Sequence, residues 1–277
     1  MLDGAAVERA YLWACRAELA ALKPGNVHVH AAGHDMTVAD FEVSAQASAP
    51  AMAVAGLSVG QRILEAISRT RSVVTSNTNL GIVLLSAPLA QAALSARGPK
   101  LRQRLERVLD DLTVDDAEQA FAAIRLANPG GLGQSAHHDV RHPATATLRA
   151  TMEEARGRDR IAAQYSTGFA DIFEIGLLWL AEGRQRWPEP EWATTAAYLA
   201  FLAAFPDSHI LRKFDGSTAH AVMEQARTLE QRFRHAADPR ALLDDLRAFD
   251  RTLKDKGINP GTCADLTVAT LFASQLE

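Results

Sequence analysis

Asn77-Thr78-Asn79-Leu80-Gly81-Ile82-Val83-Leu84-Leu85-Ser86-Ala87-Pro88-Leu89 sets the reading of the whole chain. Three small polar side chains come first, then an apolar run with no charge before Arg97. A helix that is apolar on every side is a buried helix. The run therefore predicts an interior helix over about 79–96 in an all-helical protein. Its polar start is where backbone N–H groups lack partners and the helix dipole is positive. Asn77, Thr78 and Asn79 can be read as caps of a core helix or as part of an anion site.

Working outward, the same grammar recurs. Residues 5–22 carry an apolar stripe through Tyr11-Leu12-Trp13 and stop at Lys23-Pro24-Gly25-Asn26-Val27, because Pro and Gly break a helical period. Helices are expected over 38–57, with Pro50 inside, and over 60–70. Thr113 with Asp116, and Thr37 with Asp40, resemble capping boxes. Asp159 opens a helix expected to run to Ala181. Further helices are expected over 147–156, 191–204, 217–236, 240–256 and 263–275. Val73-Val74-Thr75 leans towards β-structure but is too short for a sheet. The expectation is one all-α domain over residues 1–277, with roughly ten helices and an Ala/Leu-rich inner layer. That layer would also suit a homodimer interface.

The chain has 277 residues, 48% of them apolar, so a large core is available. A net charge of -4, from 29 basic and 33 acidic residues, argues against a nucleic-acid-binding surface. Cys15 and Cys263 fit no zinc spacing and read as reduced thiols of a cytoplasmic protein. The start Met1-Leu2-Asp3-Gly4 lacks signal-peptide character. No run has the length and apolarity of a membrane span.

Four polar stations lie at helix junctions: 23–27, 77–81, 128–133 and 259–265. Each combines Asn with Gly. Gly lets a backbone approach closely, and an Asn amide both donates and accepts. Singly they are turn sequences; together they suit a sugar-phosphate pocket. Asp171 and Glu174, at i and i+3, would share a helix face and suit Mg²⁺. Asp207-Ser208-His209 with Arg212-Lys213 would bring acid, imidazole and cations within a turn or two. His34-Asp35 and His138-Asp139 are loop His-Asp pairs. No HExxH, P-loop, GxGxxG or GxSxG pattern occurs.

Lys23-Pro24-Gly25-Asn26-Val27, His34-Asp35-Met36, Phe41 with Ser44, Asn77-Thr78-Asn79-Leu80-Gly81 and Asn259-Pro260-Gly261-Thr262-Cys263-Ala264-Asp265-Leu266 occur in that order. Together they resemble the triphosphoribosyl-dephospho-coenzyme-A synthase family. The resemblance implies an all-helical transferase. Such enzymes take ATP and 3′-dephospho-coenzyme A, release adenine and join ribose C1 to an acceptor hydroxyl. The product is the precursor of an acyl-carrier-protein prosthetic group. The chain departs from that family at Leu80, where a basic residue is usual, and in its middle loop. In this it resembles a divergent branch found near genes for methanopterin-type cofactors.

On that resemblance Lys23, Arg212 and Lys213 are expected at phosphates. Asn26, Asn77, Asn79, Asp207 and Asn259 are expected to orient substrate. His34, Asp35, His138, Asp139 and His209 are candidates for catalysis, and Asp171, Glu174 and Asp265 for Mg²⁺. Two alternatives stand beside this reading. One is a ribosyl, phosphoribosyl or phosphoryl transfer to a pterin-like acceptor. The other is a metal-dependent hydrolase of a nucleotide-like bond.

Overall fold

The computed structural model describes residues 2–34, 36–96, 98–135 and 137–277. Among them are fourteen α-helices, a π-helix, a 3₁₀ turn and no strand. The expected count of ten is therefore too low. Contacts group the chain into two compact units. Unit 1 is Met1–Cys15, Ala39–Ala170 and Phe272–Glu277; unit 2 is Arg16–Val38 and Asp171–Leu271.

The helices α1 (Gly4–Ala20), α2 (Val38–Ala53), α3 (Val59–Val73) and α4 (Leu80–Leu94) come first. Then follow α5 (Leu101–Asp110), α6 (Val114–Ala127), α7 (Leu148–Ala155) and α8 (Arg160–Thr167). In unit 1, α4 packs against α3, α5, α6 and α8. Twelve of its fifteen residues are buried, as an all-round apolar helix requires. The α3 and α6 helices meet at Gly60, where a Cβ would lie 2.5 Å from Cα of Asp116. Asp116 closes the expected capping box with Thr113 and also accepts the Gly60 N–H at 2.8 Å.

Arg62 is wholly buried without a carboxylate partner among its bonds. Its guanidinium donates to the carbonyls of Ala51 at 2.6 Å and Met52 at 2.9 Å. These are last-turn acceptors of α2, which no intrahelical N–H can reach, and a cation there meets the negative helix end. Burial pulls the guanidinium pKa down to about 10.

The expected single helix from 159 to 181 is three pieces. Gly168 ends α8 in the left-handed region at φ 62, and Phe169 follows at φ 59. A π-helix (Asp171–Gly176) leads into α9 (Leu177–Arg186). The remaining elements of unit 2 are α10 (Pro190–Ala204), α11 (Ser208–Lys213), α12 (Gly216–His235), the 3₁₀ turn (Pro239–Leu242) and α13 (Leu243–Asp255). The last helix is α14 (Gly261–Leu276). The inner helix of unit 2 is α10, with eleven buried residues from Ala193 to Ala203. It packs on α9, α12 and the π-helix. The π-helix can approach because Gly176 has no side chain: a Cβ there would lie 2.7 Å from Phe201 Cζ. Among the described residues no helix is long and apolar enough to cross a membrane.

Candidate functional site

Unit 2 brings the first and last polar stations together. Asn26 donates from Nδ2 to Oδ1 of Asn259 at 2.8 Å, across 233 residues of sequence. The Lys23–Val27 turn is bonded at nearly every peptide. Thr195 donates to the Leu22 carbonyl at 3.0 Å and Tyr198 to the Pro24 carbonyl at 2.7 Å. The Gly25 N–H donates to Oδ1 of Asp250 at 2.8 Å. Gly25 must be glycine: its φ is +82, and a Cβ would lie 2.7 Å from Leu253.

Lys23, expected at phosphates, is fully buried. Its ammonium donates to Glu18 at 2.5 Å, Asn26 Oδ1 at 3.0 Å and the Val27 carbonyl at 2.6 Å. All three N–H groups are committed, so in this structure the residue holds the turn rather than meeting solvent. Burial pulls the Lys23 pKa down and the Glu18 pKa up, and each partner opposes the other's shift.

His34 presents Nε2 to the Gly25 carbonyl at 2.7 Å. That bond requires a proton on Nε2 and leaves Nδ1 with the lone pair in the neutral ring. His209 lies nearby, over Gly261 at the start of α14. Burial, then Arg212, Lys213 and His34, lowers its pKa from the ordinary 6.5 to about 3. The ring is therefore neutral near pH 7. Arg212 is half-buried and Lys213 exposed, on the last turn of α11. They are the cations of this cluster nearest to solvent.

Asp207 caps α11, accepting from the N–H of His209 at 2.8 Å and of Ile210 at 3.1 Å. Its other oxygen takes the Cys263 N–H at 2.8 Å. One buried carboxylate thus ties α11 to α14. Burial raises its pKa, against the pull of those bonds. The Cys263 thiol is pushed up by burial, then by Asp207, Asp171 and Asp265. Asp171 and Asp265 thus bear on the same point of unit 2. Asp171 is buried and Glu174 exposed. They lie in the π-helix, where i→i+5 bonding changes the spacing of side chains. The expected matched pair on one α-helical face is therefore not formed.

Asp250, His28 and Lys254 were not singled out from sequence. Asp250 lies 3.4 Å from Nε2 of His28 and 3.0 Å from Nζ of Lys254. Lys254 also donates to the Ala31 carbonyl at 3.1 Å. The signal missing from the sequence is tertiary: 225 residues separate Gly25 from Asp250.

The other described candidates belong to unit 1. Asn79 is buried and makes no side-chain cap for α4. Its Nδ2 donates to Thr70 Oγ1 at 3.0 Å and Ser48 Oγ at 3.3 Å. Asn77, exposed, accepts the Leu80 N–H at 3.2 Å, so it supplies the cap. Asp139 accepts from the N–H groups of Ser135 at 2.8 Å and Arg141 at 2.9 Å, and from the Arg141 guanidinium at 2.7 Å. The guanidinium and these N–H groups hold its carboxyl well below the usual range. His138 has φ 49, a left-handed conformation uncommon outside glycine. Asp35 lies outside the described residues.

The solved structures include a match from Archaeoglobus fulgidus, a protein provisionally called a triphosphoribosyl-dephospho-CoA synthase. It is 22% identical, with a TM-score of 0.65 over 83% of this chain and 96% of that one. At that identity the likeness establishes a common fold. No curated protein matches the chain. A family model for CitG, ATP:dephospho-CoA triphosphoribosyl transferase, matches residues 4–277. With nearly its whole length covered by that match, the chain belongs to the CitG family of transferases.

Proposed function

We propose that the chain breaks the bond between adenine and ribose C1′ of ATP and joins that carbon to a ribose hydroxyl of 3′-dephospho-coenzyme A. The triphosphate stays on the transferred ribose. The bond electrons leave with adenine, and the acceptor hydroxyl gives up its proton. The product suits the role of a prosthetic-group precursor. The observation that carries this reading is the bond between Asn26 and Asn259, which joins two family motifs in one place. Neither a pterin acceptor nor a hydrolase gains support from the comparisons.

Residue roles follow from the geometry. Arg212 and Lys213 meet phosphate, since Lys23 is committed to Glu18. His34 keeps Nδ1 available for the proton in transit. His209, with a pKa near 3, is poorly matched to proton transfer at neutral pH. It serves better as a neutral hydrogen-bonding wall. Positive charge developing on the ribose favours a nearby carboxylate, and Asp265 and Asp171 are the candidates in unit 2.

Mg²⁺ fits the donor set. Among the described residues no three His, Cys, Asp or Glu side chains form a cage. Mg²⁺ commonly takes one or two carboxylates, with waters and phosphate oxygens completing its shell. Asp171 and Asp265 would hold it, and the ion would offset triphosphate charge. Cys15 and Cys263 are buried thiols not joined by a disulfide, which accords with a cytoplasmic setting.

The test is chromatographic detection of adenine from purified protein with Mg²⁺ and ATP. Adenine should form only when 3′-dephospho-coenzyme A is added. Adenine without the acceptor would point to hydrolysis. None in either case, from folded protein, would overturn the reading.

A further inference from the structure

We propose that Glu18 is a positioning residue: through Lys23 and Asn26 it fixes which end of the Asn259 side-chain amide is offered to the nucleotide. The inference rests on the transferase reading for its consequence, but its geometry stands on the hydrogen bonds alone.

The chain of contacts has a direction. An ammonium has three donors and no acceptor. Lys23 donates to Glu18, to the Val27 carbonyl and to Asn26 Oδ1. Asn26 must therefore turn its oxygen towards Lys23 and its NH₂ towards Asn259. Asn259 in turn receives that NH₂ on Oδ1, so its own NH₂ becomes the donor end of the relay. A buried amide has no steric preference between its two ends; only the network decides. Here the decision is made by one charge, relayed through Lys23 and Asn26. Donors at that end suit the oxygens of a phosphate or a ribose.

Stability gives little reason to keep such a pair. Lys23 and Glu18 are both out of water, and a buried ion pair rarely outperforms an apolar replacement of the same volume. What the pair supplies is a fixed polarity. The charged groups bearing on Lys23 are Glu18 of α1 and Asp250 and Lys254 of α13. Without Glu18, burial and Lys254 are opposed by Asp250 alone. Burial, no longer offset by Glu18, would then lower the Lys23 pKa further and favour the neutral amine as pH rises. A neutral amine can accept, so Asn26 could reverse and Asn259 with it.

The test is Glu18→Gln, which keeps shape and hydrogen bonding but removes the charge. Two readouts are taken. The first is the side-chain amide NMR signal of Asn259, which needs no turnover. The second is kcat/KM for ATP against pH. The relay predicts a shifted Asn259 signal. It also predicts that activity near wild type at low pH falls about tenfold to a hundredfold as pH rises, the range for one lost donor to a charged group. A merely structural role would lower activity equally at all pH. Asn259→Asp keeps the acceptor for Asn26 and replaces only the outward donor, so ATP affinity should fall with the fold intact. An unmoved Asn259 signal and a wild-type pH profile in Glu18→Gln would overturn the proposal. If wild-type protein releases no adenine, the transferase reading fails, while the NMR signal still decides the relay.

Discussion

The imidazole of His209 covers Gly261 so closely that a Cβ on Gly261 would lie 2.2 Å from Nδ1. The ring and the first turn of α14 therefore fit only because that position has no side chain. Gly261→Ala should push the half-buried ring aside. Alanine is the better helix former, so the melting temperature should change little. Misplacing a group of the site by about 1 Å can cost on the order of a hundredfold in rate. Steady-state kinetics beside a thermal melt checks this; an unaltered kcat/KM would place His209 outside the working site.

The same ring makes the protein acid-sensitive. Folded, His209 takes a proton only below about 3, because burial, Arg212, Lys213 and His34 oppose its charge. Unfolded, it does so below about 6.5. The folded pKa is depressed, so unfolding takes up a proton between those values. Stability from this group is full above about pH 6.5 and drains away as pH falls towards 3. His209→Gln should lose less stability than wild type between about pH 6.5 and 4, read by urea unfolding at each pH. Parallel curves would show that the ring is not buried in solution.

How much of this could be read from sequence depends on the range of the interaction. Helix starts at Thr113 and Asp159 are local events, and both hold: each side chain accepts N–H groups within three residues. The buried helix at Leu80 was legible because its composition leaves no polar face. The break at Gly168-Phe169 was not, since Phe169 in the left-handed region goes against its own preference. The burial of Lys23 is hidden in the sequence for a different reason. Lysines are rarely buried unless paired, and its partner Glu18 lay inside a helix read only for its apolar stripe. Asp250 and Lys254 of α13 meet Gly25 and Ala31, more than two hundred residues away, which no local pattern shows.

The Glu18–Lys23 pair has a stability signature separate from its proposed role. Lys23→Met alone leaves a carboxyl group without its cation in a fully buried place. Breaking one side of such a pair costs about 3–5 kcal/mol. Changing both, with Glu18→Leu and Lys23→Met together, should recover most of that loss. Denaturant titration of the two single variants and the double variant gives the comparison. A double variant as unstable as Lys23→Met would mean that the ammonium's bonds to Asn26 and Val27, rather than the ion pair, hold the turn.

Asp139 offers the clearest separation between a residue of the site and a residue of the loop. Both of its oxygens are occupied, by two backbone N–H groups and the Arg141 guanidinium. A carboxylate so engaged has little capacity left to bind Mg²⁺ or move a proton. Asp139→Asn removes its charge and half of its acceptor capacity. Turnover should therefore stay within about threefold of wild type, since no interaction made only in the transition state is lost. The loop from 128 to 147 should loosen instead, and limited proteolysis or hydrogen exchange there should quicken. A collapse of kcat with the loop still protected would return Asp139 to the catalytic group and require the arginine to release it when substrate binds.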